Sequence, residues 1–169
     1  MLLVGWGYFE DGPLHWTKLT PYEQLTHITL WCMLSAPLLL GCDLEKLNKF
    51  TTDLMTNTEV LSVNQDELGV QAQRVDRQGS AEVWARPLWD GTVAVAIFNR
   101  GPVPRTATIP SWDMIDPVLR RGEKSMRGKQ PVRDLWQRKN LGIETSFSAT
   151  IPLHGVIMVK VGTPNVIDA

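Results

Sequence analysis

Residues 20–66 constrain the fold more than any other part of the chain. Thr20 and Glu23 have the spacing of a reciprocal capping box, and Pro21 takes the first helical position, where a missing N–H costs nothing. A helix therefore starts at a defined residue. It is expected to stop near Ser35 or Ala36, because Pro37 drives its predecessor out of the helical region. Leu38, Leu39 and Leu40, closed by Gly41, form a short apolar run suited to a strand covered on both faces, as in a parallel sheet. Asp43 is placed to cap another turn, and Leu47, Phe50 and Leu54 recur at helical spacing. Thr56-Asn57-Thr58-Glu59 repeats the capping-box pattern and predicts helical turns over residues 59–65. Helix, tight turn, buried strand and helix make half of a β/α unit.

From Gln71 the texture changes to β-type alternation with Gly and Pro punctuation, so a second domain is expected to begin there. Residues 81–89 read as a strand, Asp90-Gly91 as a tight turn and residues 92–98 as the partner, apolar on both faces and hence central in a sheet. Further strands are expected at residues 105–109, 132–136, 145–151 and 156–161, the pattern of a two-sheet sandwich. Pro102, Pro104, Pro110, Pro117 and Pro131 confine these segments to edges or connections, and residues 120–130 read as a long basic loop. The expected division is residues 1–70, an α/β part; residues 71–163, an all-β antiparallel sandwich; and residues 164–169, a tail that is poorly tied down.

Several function classes are excluded at this level. The 17 basic residues are balanced by 18 acidic ones and scattered, so the basic stripe that nucleic acid requires is missing. The longest apolar run, residues 28–42, is too short to span a bilayer and contains Pro37, so no membrane partner is expected. Cys32 and Cys42 lack metal-type spacing and read as buried thiols. His15, His27 and His154 are far apart; His27 lies one turn after Glu23 and is expected to pair with it, while His154-Gly155 reads as a turn. Asp43, Asp66, Asp90, Asp113 and Asp134 each have a capping, turn or surface reading. Residues 5–13 form a Gly- and aromatic-rich loop that can shape a pocket; its adjacent Glu10 and Asp11 do not have the placement to attack one bond from opposite sides. Met1-Leu2-Leu3-Val4-Gly5 starts inside an apolar stretch with no targeting pattern, as though the chain were entered midway, and leaves the compartment open.

Leu19-Thr20-Pro21-Tyr22-Glu23-Gln24 with Trp31, the run from Ala36 to Asp43, and Glu59-Val60-Leu61-Ser62-Val63-Asn64-Gln65-Asp66 closely resemble the C-terminal third of glycoside hydrolase family 27, the α-galactosidase and α-N-acetylgalactosaminidase family. Glu82-Val83-Trp84-Ala85-Arg86-Pro87-Leu88, Asn99-Arg100, Val132-Arg133-Asp134-Leu135-Trp136 and His154-Gly155-Val156 are similar to that family's C-terminal sandwich. The resemblance implies that residues 1–70 are the last part of a (β/α)8 TIM barrel, followed by an antiparallel β-sandwich with Greek-key type connections. It implies retaining hydrolysis of terminal α-linked galactose by two carboxylates. Both belong to earlier barrel strands, so no catalytic residue is expected in this chain. Of the family's Trp-Asn-Asp-Pro-Asp-Met motif only the final residue corresponds, as Met1, which makes Met1 a candidate substrate contact; Trp6, at the barrel's C-terminal rim, is a second. Neither metal nor organic cofactor is implied.

A single barrel unit cannot close, and a strand over residues 38–40 would expose edges and apolar area. Residues 20–66 are therefore expected to need a partner: a missing N-terminal barrel segment, a separate chain supplying it, or a second copy. For the full-length family member the resemblance implies a secreted, periplasmic or lysosome-like setting. Other readings are another activity of the family, α-N-acetylgalactosaminidase or isomalto-dextranase, and a non-catalytic carbohydrate-binding or interaction module using Trp84, Trp89, Trp112 and Trp136 as platforms.

Overall fold

The computed structural model describes residues 2–7, 12–119 and 123–165. In chain order the elements are β1 (Trp6–Gly7), β2 (His15–Trp16), α1 (Pro21–Met33), α2 (Lys49–Met55), α3 (Thr58–Asn64), β3 (Gln73–Gln78), β4 (Ala81–Pro87), β5 (Val93–Asn99), β6 (Arg105–Ile109), β7 (Gln130–Asp134), β8 (Lys139–Glu144), β9 (Phe147–Ile151) and β10 (Val156–Val161), with 3-10 turns at Leu44–Lys46 and Trp112–Val118.

The capping box of α1 forms as the spacing dictates. The Thr20 hydroxyl accepts from the Glu23 N–H, and the Glu23 carboxylate accepts from the Thr20 N–H at 2.8 Å. The helix closes at Met33, just before the residues that Pro37 alone would mark, with Ser35 left-handed at φ 52°. Asp43 caps the first 3-10 turn as expected. The cap of α3 differs: Asn57, not Thr56, accepts from the Glu59 and Val60 N–H groups, and Glu59 is free to pair elsewhere.

The expected strand over residues 38–40 is reduced to one parallel bridge, Leu2 to Leu40, with the Leu2 N–H donating to the Leu39 carbonyl at 2.7 Å. Leu39 is 63% exposed, because only one neighbouring segment is present to cover it. A parallel pair buries its side chains only when further strands and helices flank it.

The sheet runs β3-β4-β5-β10-β7-β8, antiparallel throughout, and β6 pairs with β9 as a separate two-stranded ribbon. The chain leaves the sheet after β5 for β6, re-enters it as β7 and β8, leaves again for β9 and returns as β10 between β5 and β7, a Greek-key type connection. Strand β5 is buried along its whole length, as its two-faced apolarity demands. On one face Val83, Ile97 and Val159 meet Ala107, Ile109, Ile151 and Trp112. On the other, Ala94, Ala96, Phe98 and Met158 receive Ile28 and Met33 of α1, Leu54 of α2 and Val60 of α3. The sheet thus has a layer on each face.

Strands β3 and β8 lie outside the segments that the sequence marks as strands, and both are edges of the six-stranded sheet. Four expected strands shift: residues 132–136 become Gln130–Asp134, residues 145–151 start at Phe147, residues 81–89 end at Pro87, and residues 92–98 become Val93–Asn99. Trp136 consequently lies in the β7–β8 turn. The tail is anchored at Asn165, whose N–H donates to the Asp90 carbonyl at 2.7 Å. Both cysteines are free thiols; Cys32 is buried and Cys42 partly so.

Glu59 on α3 accepts two hydrogen bonds from Arg133 of β7, from Nε at 2.7 Å and from Nη2 at 2.6 Å. These bonds hold its carboxyl below the ordinary 4.5. A carboxyl depressed on folding stabilises the fold above its ordinary value and loses that contribution as pH falls through the lowered one. The melting-temperature gap between the wild-type chain and Glu59→Gln is therefore expected to be widest at neutral pH and to close on acidification below 4.5; a gap independent of pH contradicts the pairing.

Candidate functional site

The residues after Val4 turn sharply because they must. Gly5 is left-handed, at φ 73°, and a Cβ on Gly7 would lie 2.4 Å from the Gly41 carbonyl oxygen. Close backbone approach there is what glycine permits. It lets the Asp43 N–H donate to the Trp6 carbonyl at 2.7 Å, so the ends of the bridged Leu2 and Leu40 segments continue side by side. Strand β1 then pairs with β2, setting Trp6 opposite Trp16.

The two indoles meet edge to face at 5.8 Å, and Lys46 Nζ stands 5.3 Å from the Trp6 ring centre. The Asp43 carboxylate caps the Glu45 N–H at 3.0 Å and lies 3.9 Å from Lys46. The Trp6 Nε1 is buried without a partner among the described residues. This corner offers an aromatic wall, an ammonium and a carboxylate already held by two donors. It can hold a ring; among the described residues it has no second carboxylate with which to cleave a glycosidic bond. Met1, Glu10 and Asp11 lie outside the described residues. Trp16 and Lys46, the partners of Trp6, carry no mark in the sequence, being brought to it only by the β1–β2 pairing and the Asp43 turn.

A second cleft, of about 510 Å³, opens between α1 and strands β4 and β5, and contains Glu23, His27, Glu82, Trp84, Arg100 and His154. Two carboxylates in one cleft suggest an acid/base pair, but both are saturated. Glu23 accepts from Thr20 and contacts His154 Nδ1 at 2.9 Å; the Thr20 bonds, then His154, hold its carboxyl below the ordinary range. Glu82 is 4% exposed; burial pushes its carboxyl up, and Trp84 Nε1 with Arg100 and Arg74 more than reverse this. A carboxylate held ionised on all sides is a poor proton donor. The expected Glu23–His27 pair does not form, since Glu23 is taken by Thr20 and His154. The His27 Nε2 instead accepts from the Leu3 N–H at 3.2 Å, and burial lowers its pKa, keeping the acceptor neutral.

Of the four tryptophans considered as platforms, Trp112 is fully buried and stacked on Phe147 at 6.2 Å, which excludes it. Trp84 and Trp136 are partly buried with their N–H groups bonded, to Glu82 and to Thr29. Trp89 is exposed, its backbone N–H held by the Asp66 carboxylate. No group of three His, Cys, Asp or Glu side chains among the described residues has metal-binding geometry, and no described helix is long and apolar enough to cross a membrane.

Residues 78–161 match the domain family described as alpha galactosidase C-terminal beta sandwich. An α-galactosidase of Coffea arabica is 46% identical over 144 residues, which cover 80% of this chain and 34% of that enzyme. The crystal structure of α-galactosidase I from Mortierella vinacea superposes with a TM-score of 0.77 at 30% identity, over 87% of this chain and 37% of that one. A family 27 β-L-arabinopyranosidase from Geobacillus stearothermophilus gives 0.83 at 28% identity, over 96% and 36%. The chain spans about a third of the length of the curated relatives it matches.

Proposed function

As the chain belongs to glycoside hydrolase family 27, corresponding to its C-terminal portion, we propose that it serves a retaining α-galactosidase whose catalytic carboxylates lie outside these 169 residues. The observation that carries this reading is the 46% identity to the coffee enzyme, combined with a site whose described carboxylates are all engaged as caps or ion pairs. Residues 1–70 are the last part of a (β/α)8 barrel, residues 71–163 its sandwich and residues 164–169 a tail. The parallel contact of Leu2 with Leu40 supports the barrel assignment, since antiparallel pairing rules the rest of the chain.

On this reading the exposed Leu3, Leu39 and Leu40 are the faces onto which preceding barrel strands add, and residues 20–66 require that partner. Trp6 stands where strand ends meet and supplies an aromatic wall for the galactoside; Met1, upstream of it in the chain, is the second proposed substrate contact. α-Galactosidase is favoured over α-N-acetylgalactosaminidase, isomalto-dextranase or β-L-arabinopyranosidase because curated relatives from plants, a slime mould, a bacterium and a fungus are α-galactosidases.

The test is hydrolysis of a chromogenic α-galactoside by this chain and by the chain extended upstream in its reading frame. Activity is expected only in the extended form, with Trp6→Ala raising KM several-fold there. Activity of the chain by itself would move the chemistry back to Glu10, Asp11 and Asp43 and refute the proposal.

A further inference from the structure

A third cleft, of about 540 Å³, lies between α1, α2 and the β7–β8 turn, away from the Trp6 corner. Its floor is apolar, formed by Leu25, Leu54 and Trp136, and Phe50 stands on its rim with an exposed ring. The Trp136 indole is fixed in place. Its Nε1 donates to the Thr29 hydroxyl at 2.9 Å, and the turn carrying it is closed by the Gln137 N–H on Asp134 at 2.8 Å. An indole immobilised before any ligand arrives pays no ordering entropy on binding.

The rim is polar and open. Arg138 is held left-handed at φ 53°, a conformation that L residues adopt at a cost, and its exposed side chain lines the cleft. Only its Nε is engaged, at 3.4 Å from Asn57 Oδ1, so its terminal nitrogens meet no acceptor among the described residues. Lys49 and Asp53 neutralise one another at 2.5 Å, which leaves the mouth without the concentrated positive charge that a phosphate or nucleotide would select. Two aromatic rings, a planar fork of free donors and a locally compensated ion pair suit a neutral polyhydroxylated ring: its C–H face stacks on the indole and phenyl groups, and its hydroxyls take the guanidinium donors. The volume lies in the range of small-ligand sites.

We infer that this cleft is a second carbohydrate-binding site, which takes a hexosyl unit of an oligosaccharide or polysaccharide galactoside at a distance from the bond being cut. The identity of the sugar rests on the α-galactosidase reading; the site itself rests on Trp136, Phe50 and Arg138. Its consequence is retention on a branched polymer between turnovers without any change in the chemical step.

The test uses the upstream-extended protein in brief native gels containing galactomannan in excess, so that turnover during the run removes little of the polymer and the retardation reads binding. Phe50→Ala and Arg138→Ser change exposed side chains and leave the Trp136–Thr29 bond in place. Wild type is expected to be retarded, both variants to lose the retardation by at least about tenfold in apparent affinity, equivalent to about 1.4 kcal/mol, and hydrolysis of a small chromogenic α-galactoside to be unchanged in both. Retardation that survives both substitutions, or wild type that is not retarded, overturns the site. Failure of wild type to hydrolyse the chromogenic substrate would refute the activity alone, because the gel reads binding independently.

Discussion

Replacing Arg86 by alanine is expected to destabilise the chain by about 2–5 kcal/mol, the range found when a large buried side chain is truncated, with the loss of its charged hydrogen bonds included. Arg86 is fully buried on β4, yet among the described residues no carboxylate reaches it by a hydrogen bond. Its Nη1 donates to the Cys32 carbonyl at 2.6 Å and its Nη2 to the Ser35 hydroxyl at 3.3 Å, while Nε has no partner. Burial lowers its pKa, and the charge of Asp66 partly restores it. Cys32 is no counterion: burial pushes its thiol up to about 12, so it is neutral. What holds the cation is chiefly the negative end of α1, whose last carbonyls have no intrahelical donor. Arg86 thereby fastens the helix end to the sheet, beside the Ala72 N–H that caps Met33 at 2.8 Å. Arg86→Met separates volume from bonding: it keeps most of the packing but removes the charged donor from the Cys32 carbonyl, which keeps the Ser35 N–H at 3.2 Å, at a cost of about 1.5–3 kcal/mol. Chemical denaturation of the three proteins checks the order, wild type over Met over Ala. Equal stability of the methionine variant and wild type would show that the carbonyl contacts contribute nothing.

How much of this was legible follows from the range of each interaction. The capping box of α1 uses residues three apart, and β5 carries its own burial pattern, so both are readable from the sequence. Strands β3 and β8 are not: Gln73, Arg74, Asp76 and Arg77, or Lys139 and Asn140, give edge strands whose outer side faces water and which need no apolar alternation. Residues 38–40 failed in the opposite way. Their apolarity fits a buried strand, but only Leu2 is there to pair with them. Glu59 has capping-box spacing to Thr56, and only the arrival of Arg133, 74 positions later, shows where its carboxylate goes. His27 lost its expected partner to His154 for the same reason. At the candidate site the glycines around Trp6 announced a tight turn, whereas Trp16 and Lys46 reach the indole through pairings that no local pattern encodes.

Asn57→Ala is expected to cost about 2–4 kcal/mol, because one side chain joins α3 to the sandwich through both ends of its amide. Asn57 is 3% exposed. Its Oδ1 accepts from the Glu59 N–H at 3.1 Å and the Val60 N–H at 3.4 Å, and its Nδ2 donates to the buried Leu135 carbonyl at 2.9 Å. Losing the helix cap costs about 1 kcal/mol, and leaving a buried carbonyl unsatisfied costs about 1–3 kcal/mol more. Asn57→Asp divides the two roles. Its carboxylate still caps α3, with a favourable charge at the helix N-terminus, but it sets an oxygen against the Leu135 carbonyl where a donor stood. The aspartate variant should therefore keep the amides of Glu59 and Val60 protected from hydrogen exchange while losing global stability, and the alanine variant should lose both. If the aspartate variant matched wild type in denaturation, the Leu135 contact would be dispensable, and the attachment of α3 would rest on the buried Val60 and Val63 and the Glu59–Arg133 pair.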